Sequence, residues 1–380
     1  MKVAKLLFSE GKWTRELNHE QLDYNEVQLV LGFGERKLLS ENEVFESIQQ
    51  KFPNAEIALC SSAGEIFCKD VYDDTVSVTA LRFDNSEIKT TEICINDYKD
   101  SHEAGVALMK NLYREDLKWV FVMSDGSNVN GSELIKGINS EKRKEVLISG
   151  GLAGDGDRFE KTLVGLNKVP APDNIAAIGF YGSSLMLSHA SFGGWETFGI
   201  EKTVTKSSGN KLYEIDGKNA LDIYKKYLGK YAEELPSSAL LFPLSLKLKD
   251  NEETVVRTIL SVNDRENYMV FAGDIPEGSK VRFMKANFDR LIDAATDAAQ
   301  QCQDFHSANP KLAILISCVG RKLVLGNRIS EEVDAVVDVL GNETAVMGFY
   351  SYGEFSPLKP FQNCELHNQT ITITGINEIL

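Results

Sequence analysis

One arrangement recurs three times along this chain: an apolar strand, a loop, a helix, a second strand, then a small-residue loop carrying Gly and a carboxylate. The first copy runs from VQLVLGFG (27–34) through ENEVFESIQQKF (41–52) and AEIALC (55–60) into the loop SSAGEI (61–66). The second runs from WVFVMSDG (119–126) through GSELIKGINSEKR (131–143) and EVLISG (145–150) into GGLAGDG (150–156). The third runs from LAILISCVG (312–320) through SEEVDAVVDVLG (330–341) and TAVMGF (344–349) into GFYSYGEF (348–355). The helical segments space their apolar residues by 3 and 4, as in Val44, Phe45, Ile48 and Phe52. Ser132 and Ser330 are expected N-caps, and Gly341 a helix stop. After the first and third loops come TVSVTALRF (75–83) and TITITGI (370–376), which alternate as half-buried strands do.

Such repetition predicts an α/β (α+β layered) protein with repeated strand-loop-helix-strand units, mixed β-sheets and helices packed on them. At 380 residues the chain exceeds one ordinary core, so two related domains are expected. The polar stretch EKTVTKSSGNK (201–211) suggests the division, giving domains 1–205 and 206–380.

Carboxylates outnumber Lys and Arg by 56 to 41, a formal charge of −15, which repels nucleic acid and anionic lipid. No apolar run reaches the ~18 residues of a bilayer span, and the N-terminus lacks a signal-peptide pattern. Six scattered Cys without a CxxC pair fit a reducing, cytoplasmic setting. No spacing of His, Cys or acids suggests a metal site, and no P-loop is present.

The loops carry the candidate chemistry. Gly there lets a ligand approach the backbone, and an acid follows: Glu65, Asp155 or Glu354. Amides beside a carboxylate suit a zwitterion such as an amino acid, with Ser62, Gly64, Gly151, Tyr350 and Gly353 as neighbouring contacts. The plainer reading is that each acid closes its own turn. Cys318 ends a strand, where open α/β sheets place ligands. Arg321 could clamp an anion or serve in a structural ion pair, and Cys318 could be a thiol nucleophile or a small buried hydrophobe. His367 and Asn368 crowd polar groups before the last strand, as ligand contacts or as a satisfied internal network.

The order SSAGEI, GGLAGDG, YEIDGKNALDIYKKYLG (213–229), SCVGRKLVLG (317–326), GFYSYGEFSP and LHNQTITI (366–373) resembles the FIST-domain family from about residue 25 to the C-terminus. The resemblance implies a sensory, ligand-binding module with FIST N-terminal and C-terminal halves. It implies amino acids or related charged metabolites as inputs, and partners such as a histidine kinase or diguanylate cyclase. Nothing in the chain is left over for such an output enzyme, so a separate partner is expected. Some relatives bind haem and report nitric oxide, which makes non-covalent haem on His367 or His189 the alternative. A thiol-dependent enzyme using Cys318 is the other alternative.

Overall fold

In a computed structural model, described for residues 1–235, 237–247, 254–304, 309–359 and 362–379, the repeat is a structural one. Three sheets share one strand order. In the first unit, Glu56–Ser61 pairs with Leu29–Gly34, then Val76–Arg82, then Lys2–Ser9. In the second, Leu147–Leu152 pairs with Leu117–Ser124, then Asn174–Tyr181, then Glu87–Cys94. In the third, Ala345–Ser351 pairs with Leu312–Cys318, then Ile371–Glu378, then Leu185–Phe192. Each unit has its first two strands parallel and the others antiparallel.

Alternation explains how the units meet. Leu29, Leu31 and Phe33 of the first unit enter one common core with Trp119, Phe121 and Met123 of the second and Leu312, Ile314 and Ile316 of the third. The intervening residues, such as Val30, Val120 and Ala313, turn outward to the helices. These are the two faces of a period-2 strand. Trp119 shows the quality of the fit: its ring stacks on Phe180 at 4.1 Å, and its Nε1 donates to Ser149 Oγ at 2.8 Å. Burying a side chain of this kind is worth about 2–3 kcal/mol.

The helices of the repeat fall close to their expected positions, at Asn42–Lys51, Gly131–Glu141 and Ile329–Leu340, and two more, Ser101–Leu112 and Phe288–Asp304, precede its second and third copies. Their caps differ. Asn130, rather than Ser132, caps the helix at Gly131, through its carbonyl to Glu133 N. Ser330 lies inside its helix, which begins without a side-chain cap; Gly341 ends it at φ 79°. Gly150 and Gly348 hold φ 146° and 156° because a Cβ there would sit 1.9 Å from Val122 O and 1.8 Å from Leu315 O. In the first unit Leu59 takes that register, and Gly32 opposite makes the room: a Cβ on Gly32 would meet Leu59 at 2.4 Å.

The small-residue loops lead into short strands that leave their own unit. Glu65–Phe67 adds to the third unit's Ala345–Ser351. Gly353–Pro357 adds to the second unit's Leu147–Leu152, and Val164–Leu166 to the first unit's Glu56–Ser61. The exchange is cyclic and closes on itself.

An eight-stranded sheet built from residues 196–285 is inserted between Leu185–Phe192 and the helix Phe288–Asp304. The boundary expected near 205 falls within its longest strand, Glu196–Ser208. Helix Ala220–Leu228, capped by Asn219 and ended by Gly229, packs on this sheet around Leu212, Leu244, Met269 and Phe283. Among the described residues no helix is long and apolar enough to cross a membrane.

Candidate functional site

The three loops converge at one end of the molecule, held by equivalent backbone bonds: Ala63 N to Tyr350 O (2.8 Å), Gly154 N to Ser61 O (3.0 Å) and Tyr352 N to Leu152 O (3.1 Å). Register fixes the correspondence. Gly34 pairs with Ser61 and Val76, Ser124 with Leu152 and Ile175, Ser317 with Tyr350 and Ile371. Glu65 and Glu354 therefore occupy equivalent positions, opposite Phe349 and Gly151. The second unit has Val164 there, opposite Cys60.

Asp155 is thus not the counterpart of the two glutamates, contrary to the sequence reading. It starts an inserted loop, residues 155–162, that precedes the exchanged strand. Fully buried, it accepts from Arg36 Nη1 at 2.8 Å and Lys161 N at 3.0 Å, and also takes the Tyr352 hydroxyl.

Glu65 and Glu354 sit in identical clusters. Ser62 Oγ donates to Glu65 Oε1 at 2.5 Å and Thr75 Oγ1 to Oε2 at 2.8 Å. Ser351 Oγ donates to Glu354 Oε1 at 2.7 Å and Thr370 Oγ1 to Oε2 at 2.8 Å. Burial pushes both carboxyls up to about 8, and the hydroxyl donors offset it only in part. A cluster built twice, once at a cavity wall and once fully enclosed, serves first to close the exchanged turn.

What distinguishes Glu65 is its surroundings. With Ser62, Gly64, Asp73, Arg158 and Lys322 it lines a cavity of about 580 Å³ between the first and third units. Lys322 projects from the helix Val319–Leu325, donates to Ala63 O at 2.8 Å and pairs with Asp73. Gly64 is favoured here by its φ of 145°, which strains any residue with a Cβ, and a Cβ would also push Lys322 aside. Arg158 enters from the inserted loop and pairs with Glu35 at 3.0 Å. The cavity wall therefore carries cations and carboxylates at strand ends, where ligand sites of open sheets lie.

Other expected contacts lie elsewhere. Arg321 is 0% exposed, as is Glu332, which it grips through Nε at 2.7 Å and Nη2 at 2.6 Å. Its remaining donors go to Gly193 O and Leu291 O. Tyr350 and Ser317 hydroxyls donate to the same Glu332 at 2.8 and 2.9 Å. The expected anion clamp is a buried brace, the structural ion pair weighed as its alternative. Cys318 is buried, and burial together with the nearby Glu354 pushes its thiol far up, which opposes nucleophilic use. Gly151 eases the strand exchange, since a Cβ there would lie 3.0 Å from Gly353 O, and Gly353 makes room for Leu366, which a Cβ would meet at 2.7 Å. Asn368, 1% exposed, has no hydrogen-bond partner on either side-chain atom among the described residues.

Haem does not fit the histidines. His189 is buried with Nδ1 at 3.0 Å from Thr374 Oγ1 and Nε2 at 2.8 Å from Ser356 Oγ, and burial lowers it to about 3. His367 Nε2 lies 3.0 Å from Ser356 O in the core. Neither lines any cavity described here. No group of three or more metal-ligating side chains occurs among the described residues.

Sequence reasoning missed Thr75 and Thr370, although they open the two matched strands TVSVT and TITIT. It also missed Asp73, Arg158 and Lys322, whose roles depend on loops from different units meeting.

An uncharacterized protein of Methanocaldococcus jannaschii is 24% identical over 348 residues, covering 82% of this chain; the chain spans 66% of that relative's length. Two cyanuric acid hydrolase structures align over nearly the full length. One, from A. caulinodans, has 6% identity and a TM-score of 0.40 over 100% of this chain and 99% of its own. The other has 8% identity and a TM-score of 0.34 over 99% of each. Likeness at these levels assigns no function. The FIST N domain matches residues 28–218 and the FIST C domain residues 220–357, so the chain belongs to the FIST family, with both domains in tandem.

Proposed function

We propose that this chain senses a small zwitterionic metabolite of the amino-acid class in the cavity walled by Ser62, Gly64, Glu65, Asp73, Arg158 and Lys322. FIST domains are in general sensory and signalling modules. The observation that carries the reading is the pairing of both charge signs inside one cavity of about 580 Å³. A ligand carboxylate replaces Asp73 at Lys322, and the freed Asp73 receives the ligand ammonium. Such an exchange of ion pairs leaves no charge unmatched, which keeps the desolvation penalty low. Glu65, held largely protonated at neutral pH by its burial, adds a hydrogen-bonding group without a second negative charge. Output passes to a separate signalling protein such as a histidine kinase or diguanylate cyclase, and the cytoplasm is the proposed location.

Thermal shift against the proteinogenic amino acids tests the reading. Ligand at 100 times its Kd stabilises by about 2.7 kcal/mol. Lys322→Ala should abolish the shift while leaving the unliganded protein folded, because Lys322 lines the cavity wall at 16% exposure and its partner Asp73, 65% exposed, stays hydrated without it. If no amino acid stabilises the wild-type protein, the reading fails.

A further inference from the structure

We propose a second binding site, for a neutral polyhydroxylated ring such as a monosaccharide or cyclitol, in the cleft between the inserted sheet and the second unit. This cleft encloses about 520 Å³. Its floor is apolar, formed by Leu152, Phe271 and Leu366. At its mouth Phe159 is 45% exposed and lies flat on Tyr352, with ring centroids 4.6 Å apart and 21° between planes. The exposure is built into the loop. Phe159 N donates to the Tyr352 hydroxyl at 3.1 Å, Asp155 N does the same at 3.1 Å, and that hydroxyl also reaches Gly156 O and Asp155. A phenyl ring fixed half in water forgoes about 1 kcal/mol or more of burial, which a stacked ligand ring recovers.

The rim supplies matching polar groups. Asn128 and Asn210 spend their amide N–H groups on Asp173 Oδ1 (2.7 Å) and Phe271 O (2.9 Å). Among the described residues their side-chain Oδ1 atoms have no donor, so each can accept from a ligand hydroxyl. Charge selects against ions. No Lys or Arg is among the described residues lining the cleft, and its two carboxylates already have cations, Glu160 with Arg36 at 3.4 Å and Asp274 with Lys136 at 3.5 Å. An anion finds no counterion and a cation must displace one. An apolar CH face over an aromatic ring, with hydroxyls around its edge, meets every surface of the cleft. This site is chemically distinct from the charged cavity, although the loop 155–162 lines both: Gly156, Asp157 and Arg158 face the first, Phe159 and Glu160 the second.

The test is titration of the full chain with D-glucose, D-galactose and myo-inositol, read by saturation-transfer NMR and thermal shift. At least one should give a saturable signal. Phe159→Ala should weaken it tenfold or more, Phe159→Trp should retain it, and Lys322→Ala should leave it unchanged. Should Phe159→Ala fail to fold by circular dichroism, Leu260→Ala, an exposed residue of the same cleft, serves in its place with the same expectation. No saturable signal from any of the three overturns the proposal. So does binding indifferent to Phe159→Ala, or to Leu260→Ala where that takes its place, and so does displacement of the signal by choline.

Discussion

Replacing Glu332 by Ala removes one acceptor from four buried contacts at once. Arg321 loses its contacts through Nε and Nη2, Ser317 its bond of 2.9 Å and Tyr350 its bond of 2.8 Å. Breaking a buried ion pair by deleting one partner costs about 3–5 kcal/mol, because the remaining charge stays out of water. The two orphaned hydroxyls each add about 1 kcal/mol or more. These contributions overlap, so the expected loss is on the order of 5 kcal/mol, comparable with the whole stability of many domains. Glu332→Gln keeps an acceptor for the hydroxyls but loses the charge, and should cost about 3 kcal/mol. The double variant Arg321→Met, Glu332→Leu removes the stranded charge and should recover that part of the loss, although the Ser317 and Tyr350 hydroxyls and the Gly193 and Leu291 carbonyls stay unpaired. The assay is urea unfolding followed by tryptophan fluorescence, comparing midpoints at constant slope. A Glu332→Ala protein within about 1 kcal/mol of wild type, or a double variant no better than the single, would refute the brace. Arg321 would then again be a candidate for ligand binding.

Three further outcomes follow from the same geometry. The folded pKa of about 8 for Glu65 and Glu354 lies above the unfolded value of about 4.3. The folded state therefore binds more protons between these values. Their contribution to stability is fully present below about pH 4.3 and lost as pH rises through about 8. Glu354→Gln should match wild type near about pH 4.5 and exceed it in urea midpoint near about pH 8.5; equal slopes against pH would contradict this. Alkylation of native protein by iodoacetamide, mapped by mass spectrometry, should spare Cys318, and labelling it as fast as free cysteine would disprove its burial. Asp155→Ala should expose the loop 155–162 to limited proteolysis, since Arg36, Lys161 N and Tyr352 all lose their common acceptor; an unchanged digestion pattern would show that the loop is held by other contacts.

Much of the scaffold was legible because it obeys short-range rules. Leu29–Gly34, Leu117–Ser124 and Leu312–Cys318 are strands bounded by small residues, and each is followed within its unit by a helix with a clear apolar face. The middle acid, Asp155, was misaligned for an equally local reason. Gly154-Asp155 resembles Gly64-Glu65 in sequence, but the insertion delays the exchanged strand until Val164, a shift that only strand register exposes. Arg321 stands three residues beyond a strand-end cysteine, where a ligand clamp is reasonable. Its partner is on the next long helix, and the carbonyls of Gly193 and Leu291 come from distant segments. The inserted sheet was missed because its strands are mostly short and half exposed, as in Thr254–Arg257 and Ile259–Asn263, so they lack an apolar stripe. The charged cavity lies between segments separated by more than 200 residues, and no periodicity reports such a meeting.

The cyclic strand exchange also bears on how the chain is made. Glu65–Phe67 leaves the ribosome long before its acceptor Ala345–Ser351, and Leu185–Phe192 also precedes its neighbour Ile371–Glu378, by a shorter interval. The strand that leaves the first unit must therefore wait unpaired until Ala345–Ser351 has been synthesised. A polypeptide cut short before Ile371 would leave the third sheet split between its first strand and its outermost one, with two unpaired edges open to association with other chains.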